Sequence, residues 1–278
     1  MHKFDRLSAL VEHLAVSARI AGPGDGNLVI YGNDGLPEGA ELMTEGEPSR
    51  IEPAKRLFAA QINWAGRSNP VFASLAPGFD FPAGESDETR RLLQMVVFEA
   101  DAQRCGSGQV LNRLCEILII QLLRNAIERG CSSAGMLAGL SDPKISRALV
   151  AVHEDPGRSW SNSDLAEEAG MSLSRFCEHF TRLVGETPQA YVRRWRLTIA
   201  HRRMAQGQRV HLVARQLGYK SGEAFSRAFQ REFGISPLNV RMAERAERDV
   251  TPVRLPVASA KAERLQRADN SLRERRTA

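Results

Sequence analysis

A chain of 278 residues has room for about two domains, and a hydrophobic share of 42% supports a packed core in each and argues against wholesale disorder. The formal charge of +5 is unevenly held: residues 1–140 carry 13 Lys/Arg against 17 Asp/Glu, and residues 141–278 carry 25 against 16. An acidic half joined to a basic half reads as one part for a polyanion and one for something else, the bland alternative being a solvated basic surface.

The first residues include Asp5, Arg6, Glu12 and His13, which do not suit a signal peptide. Leu7, Leu10, Val11 and Leu14 form one stripe, so an amphipathic helix is expected over about 4–18. Strand-like pieces follow at Leu28–Tyr31 and Arg56–Trp64, the second with Phe58, Ala60, Ile62 and Trp64 alternating on one face. Pro70, Pro77, Gly78, Pro82 and Gly84 punctuate the next stretch.

Two helices are expected over 85–103 and 107–129. The second carries Leu111, Leu114, Leu118 and Leu122, widened by Ile117, Ile119 and Ile120. That surface either packs within its own domain or pairs in part with a second subunit, so a homodimer is expected. Its most apolar stretch, Val110 to Ile127, is broken by Asn112, Arg113, Glu116, Gln121, Arg124 and Asn125, so no membrane span is expected. Cys105, Cys115, Cys131 and Cys177 form no C-x-x-C pair and read as reduced thiols of a cytoplasmic protein.

Residues 130–139 are rich in small side chains and read as a linker. Asp142 and Pro143 then open a helix through Ile145, Leu149 and Val152. Further helices are expected over 163–169, 172–184, 188–206, 210–217 and 221–233. Beyond about Arg245 the apolar pattern fades into a basic tail, expected to be disordered.

One pattern occurs twice. Phe176, Phe180, Gly185 and Pro188 recur 49 positions later as Phe225, Phe229, Gly234 and Pro237. Self-similarity at a fixed period marks one supersecondary unit used twice. Each copy reads as a short helix, a tight turn at Gly170 or Gly218, and a second helix capped by Ser172 or Ser221. That is the helix-turn-helix plan, whose second helix enters a major groove of double-stranded DNA.

Within the first unit, Asn162 or Ser163 is expected to cap the first helix, and Phe176, Phe180 and Leu183 to be scaffold. The second helix then exposes Ser174, Arg175, Cys177, Glu178, Thr181 and Arg182. In the second unit Gly222, Glu223, Ser226 and Arg227 face outward beside Ser221. Arg227 can bond guanine bidentately or grip a phosphate. A carboxylate such as Glu178 or Glu223 is repelled by phosphates unless it accepts from cytosine or orients an arginine, and either side chain can also point away. The helix between the units carries Arg193, Arg194, Arg196, Arg202 and Arg203, which would neutralise phosphates without reading sequence.

Residues 142–243 resemble the C-terminal DNA-binding domain of the AraC/XylS family of bacterial transcription regulators. The resemblance rests on Leu165-Ala166-Glu167-Glu168-Ala169-Gly170-Met171-Ser172, Tyr191-x3-Trp195-Arg196-Leu197, Val213-Ala214-x2-Leu217-Gly218-Tyr219 and Phe233-Gly234-Ile235-Ser236-Pro237, besides the repeated Phe, Gly and Pro residues. It implies groove-reading positions at Ser174, Cys177 and Glu178 and at Gly222, Glu223, Ser226 and Arg227. The helix, strand and two-helix order before it resembles the cupin-like sensor domain of one branch of that family, best over Leu57–Pro77 and the helix 108–129. Metal-binding cupins use a histidine-rich strand pair, whereas His2 and His13 are the only histidines before His153, so no metal site, cofactor or cupin catalysis is expected.

The expected fold is therefore α+β: a β-rich cupin-like sensor and dimerisation domain with two helices over 1–130, a linker over 131–141, an all-α double helix-turn-helix domain over 142–245 and a tail over 246–278. The expected function is sequence-specific transcription regulation, with a small-molecule effector acting through the N-terminal domain, and RNA polymerase as a partner in the case of an activator. Two alternatives stay open. Cys177, Glu178 and His179 are adjacent and suggest an enzyme with a borrowed DNA-binding domain. A sequence-indifferent DNA coater would show a steep salt slope and no specificity ratio.

Overall fold

A computed structural model describes residues 5–14, 17–21, 26–43, 49–63, 79–130 and 134–240. The architecture is α+β, with strands and two long helices first and a multi-helix region after them. Trp64, Cys131 and the basic tail lie outside the described residues.

The N-terminal sheet contains β1 (Ser17–Ile20), β2 (Leu28–Asn33), β3 (Leu36–Leu42), β4 (Arg56–Asn63) and β5 (Phe79–Pro82). Their spatial order is β1-β4-β2-β3-β5, with every neighbouring pair antiparallel. β2 and β3 form a two-residue hairpin at Asp34 and Gly35, whose φ angles of 50° and 79° give the turn a hand that matches strand twist. β3 was not among the expected strands, and Pro37 and Gly39 both disfavour one; in the sheet it has β2 on one side and β5 on the other.

Leu28, Ile30, Ala40, Leu42, Phe58, Ala60, Ile62 and Phe81 bury one face of the sheet. That face packs against α2 (Asp87–Ala102) and α3 (Ser107–Arg129). Ser86 caps α2 by accepting from the Thr89 amide. Val29, Met43 and Ala59 form a small buried cluster on the opposite side.

The expected helix over 4–18 is shorter, because the chain turns into β1 at Ser17; α1 covers Ser8–Leu14. It packs away from the sheet, against α5 (Ile145–Glu154) and α8 (Pro188–Ala205). Arg6 donates to the Leu140 carbonyl at 2.9 Å, and Arg202 of α8 donates to the carbonyls of Glu12 and His13.

The expected linker over 131–141 is corrected in its second half. Met136–Ser141 forms α4, with Met136, Leu137 and Leu140 fully buried against α3 and its C-terminal neighbours. Met136, Leu137, Ala138 and Leu140 are good helix formers, and their burial holds the helix where Gly135 and Gly139 suggest a linker. One continuous buried cluster thus runs from the sheet into the C-terminal helices. No helix among the described residues is long and apolar enough to cross a membrane.

Candidate nucleic-acid interface

The first helix-turn-helix consists of α6 (Asn162–Glu168) and α7 (Leu173–Val184). Its cap is Ser161, not Asn162 or Ser163. The Ser161 hydroxyl accepts from the Asp164 amide, and Asp164 accepts from the Ser161 amide at 2.8 Å, which makes a reciprocal capping box. The Ser161 hydroxyl and amide hold the Asp164 carboxyl below its ordinary range. Ser161→Ala should cost about 1 kcal/mol, read as a lowered urea midpoint at unchanged slope.

Gly170, at φ 61°, turns the chain between the two helices. Ser172 stands at the N-cap of α7 but makes no side-chain cap bond. Phe176, Phe180 and Val184 bury the inner face, whereas Leu183 is only half-buried.

The second unit consists of α9 (Val210–Gln216) and α10 (Gly222–Phe233). Gly218 turns at φ 77°, and the Ser221 hydroxyl accepts from the Ala224 amide. Phe225 and Phe229 are fully buried, 5.7 Å apart between ring centroids. Between the units runs α8, begun by the Thr187 cap with Pro188 in its first turn. Its 18 residues span about 27 Å.

Ser174, Arg175, Glu178, Thr181 and Arg182 are exposed along α7. Cys177 is half-buried and packed against the core, which corrects its expected exposure. It stands three positions before the buried Phe180, so the two share one side of the helix. On α10, Gly222, Glu223 and Arg227 are exposed. Glu223 lies 3.3 Å from the Arg227 guanidinium, so of the roles open to it, orienting an arginine is the one the geometry gives. Ser226 turns its hydroxyl back to the Gly222 carbonyl at 2.8 Å, and Ser221 uses its own in the cap.

The connecting arginines separate into classes that periodicity could not distinguish. Arg193 is exposed. Arg194 is half-buried and paired with Glu186, whose carboxyl burial pushes up even beside that cation. Arg196 donates to the Pro156 and Arg158 carbonyls, Arg202 to α1, and Arg203 to the Gln216 side chain at 3.0 Å. Four of the five therefore bond within the fold.

A cleft beside α7 brings Lys144, Arg175, Glu178 and Arg182 together. Asp142 and His179 form its floor at 3.0 Å, and Arg182 lies 2.7 Å from the other His179 nitrogen. Burial works against the Asp142 charge, but the Ile145 amide, His179 and the Lys144 amide together hold its carboxyl below the usual range. Both His179 ring nitrogens are engaged, and neither faces Cys177, so the suggested thiol–imidazole arrangement does not form. Lys144 was missed in the sequence. Its signal was a cation at the positive end of a helix, where it weakens the helix slightly.

The described residues thus hold two helix-turn-helix units on one connecting helix, joined to a sheet backed by two helices. Residues 165–243 match the model of a helix-turn-helix domain, and residues 32–128 match that of a cupin. A putative AraC-like transcription regulator of Streptomyces lividans is 37% identical over 138 residues, which are 49% of this chain and 45% of that protein. The HTH-type transcriptional regulator AlkR of Acinetobacter baylyi is 34% identical over 150 residues, 54% of this chain and 49% of its own. The chain spans about half the length of the curated relatives it matches. Among solved structures, the DNA-binding domain of AdpA, a global transcriptional factor in complex with a target DNA, aligns over 40% of this chain and 100% of its own, at 26% identity and a TM-score of 0.36. The chain is thus similar to AraC-like transcription regulators, with a helix-turn-helix match in its C-terminal part and a cupin match in its N-terminal part.

Proposed function

We propose that the chain is a sequence-specific transcription regulator whose α7 and α10 enter successive major grooves of double-stranded DNA. The observation that carries this reading is the pair of recognition helices on one frame, each buried by phenylalanines on one side and polar on the other. Ser174, Arg175 and Glu178 on α7, and Glu223 and Arg227 on α10, are the proposed groove residues. Lys144, Arg182 and Arg193 are proposed phosphate ligands.

The N-terminal region is proposed as the sensor and dimerisation part. Met95, Phe98, Val110 and Ile117 expose apolar surface on the outer side of α2 and α3, which supports a homodimer. Contact of α4 with α3 on one side and with α5 and α7 on the other supports a route by which an effector held near the sheet alters DNA affinity, a coupling of binding free energies. RNA polymerase is a partner if the regulation is activation.

The test is selection of duplexes from random DNA by the full-length protein. Two boxes about one helical turn apart are the expected motif, and enrichment of none overturns the reading. On that selected site, Arg227→Ala should lose about 1–3 kcal/mol and relax the sequence preference at one position. A loss spread equally over all sequences makes Arg227 a phosphate ligand instead.

A further inference from the structure

The second unit packs on α8, whereas α6 and α7 of the first pack on α4 and α5 as well as on α8, so contact with α8 alone does not fix one unit against the other. The loop Asp155–Trp160, between α5 and α6, bridges the two units. It leads into the Ser161 cap of α6 at one end. Midway, Gly157 lies against the turn of the second unit. A Cβ on Gly157 would overlap the Gln216 carbonyl oxygen, and one on Gly218 would stand 2.6 Å from the Gly157 oxygen. Gly218 needs its left-handed φ of 77° in any case, but the Gly157 backbone is outside that region, so contact alone excludes a side chain there.

Arg196 of α8 closes the junction. Its Nε donates to the Pro156 carbonyl at 2.7 Å and a terminal nitrogen donates to the Arg158 carbonyl at 2.6 Å, so one guanidinium holds the residues on both sides of Gly157. The loop is braced internally as well. The Trp160 indole donates to the Asp155 carbonyl at 2.8 Å, and the Arg158 guanidinium lies 4.1 Å over the Trp160 ring. Gln189 of α8 donates to the Trp160 carbonyl at 2.9 Å.

We propose that Arg196, with Gly157 and Gly218, fixes the separation and angle of α7 and α10, and thereby the spacing between the two DNA boxes that the chain accepts. Arg196 is then a positioning residue and touches no DNA. The inference rests on α7 and α10 being the recognition helices. A planar fork suits two carbonyls at fixed separation; an ammonium supplies the charge without that geometry.

The experiment uses the full-length protein and the two-box site it selects from random DNA, with duplexes carrying base pairs inserted or deleted between the boxes. One base pair turns the second box by about 35°. The unsubstituted protein should lose roughly tenfold in affinity per base pair of misfit, comparable to a mismatched base. Arg196→Ala should reduce that penalty to about threefold or less while leaving affinity for a single isolated box unchanged. Arg196→Lys should restore the penalty in part. Gly157→Ala should move the preferred spacing instead of broadening it, because the added methyl displaces the second unit.

Circular dichroism and thermal melting establish that each variant is folded; if Arg196→Ala is not, Arg196→Lys and Gly157→Ala decide. Equal weakening at every spacing, with the original penalty kept, overturns the inference. So does a fall in the salt slope by about one, which would make Arg196 a phosphate ligand. Failure of the unsubstituted protein to select any two-box site overturns the DNA reading itself, and shows before any variant is made.

Discussion

Trp195→Ala should lower unfolding stability by about 3–5 kcal/mol, the largest loss expected of any single truncation in the helical region. Trp195 is fully buried on α8. The His153 ring of α5 packs 4.4 Å from it, and the His13 ring of α1 meets it edge-on at 6.1 Å. Three elements from distant parts of the sequence therefore share one side chain. The indole nitrogen has no hydrogen-bond partner among the described residues, so truncation removes volume and contact without orphaning an acceptor. The cavity cannot be filled cheaply: Tyr191 and Ile199, one turn to either side on the same helix, are themselves buried in place. The measurement is urea unfolding followed by far-UV circular dichroism. A loss below about 1.5 kcal/mol would mean that α1 collapses into the space and that the site is softer than its packing indicates.

The same substitution should loosen α1 from the helical region, since Trp195 forms part of its floor. Protection of the Val11 and Glu12 amides against hydrogen exchange should fall by more than that of α10. Such a difference would identify α1 as a separable element attached from outside. An equal fall in both would show that the region opens only as a whole.

The helical half was legible because its signals are local. Gly170 and Gly218 mark turns, and Phe176, Phe180, Phe225 and Phe229 recur at helical spacing, so their burial follows from chain geometry alone. The sheet was less legible. Asp34-Gly35 is a strong two-residue hairpin signal that predicts a strand on each side, yet Pro37 and Gly39 mask the second one by propensity. The helix at Met136–Ser141 was hidden for a similar reason: Gly135 and Gly139 resemble a linker until Leu149 and Val184 are seen to occupy the space that a side chain on Gly139 would need.

The arginines of α8 show what no local reading can supply. Arg194, Arg196, Arg202 and Arg203 follow one another at intervals that suggest a single basic surface. Their partners lie 8, 38 to 40, about 190 and 13 positions away in sequence. Only the fold decides which guanidinium is engaged, and it leaves Arg193 exposed. Conversely, the exposed positions of α7 and α10 were predictable because a helix with one phenylalanine stripe has a determined opposite face. Cys177 departs from that rule by one position, since the buried arc of α7 is wide enough to take it in.

Acidification should destabilise the chain before most of its carboxylates protonate, and His153 is the reason. Its ring is fully buried beside Trp195 and Tyr191. Nε2 lies 2.5 Å from the Tyr191 hydroxyl, and Nδ1 has no partner among the described residues. Burial disfavours the imidazolium, with a smaller contribution from His13, and lowers the pKa from 6.5 to about 3. The Tyr191 hydroxyl, pushed up by burial, stays protonated and cannot neutralise an imidazolium. In the unfolded chain the same histidine protonates near 6.5. Between those values the unfolded state binds the extra proton, so stability is fully present above pH 6.5 and is lost as pH falls toward 3. Burial lowers His13 in the same direction, with Arg203 next in effect, while Glu12 opposes it. At pH 4.5 the cost from His153 alone should be on the order of 2–3 kcal/mol. The measurement is the urea midpoint of the unsubstituted protein and of His153→Gln across pH 7.5 to roughly 4.5, a range chosen to stay above the reference pKa values of carboxylates. The neutral variant should be less stable at pH 7.5 yet lose much less on acidification. Parallel curves would place the pH dependence elsewhere and show that His153 takes up its proton without leaving the fold.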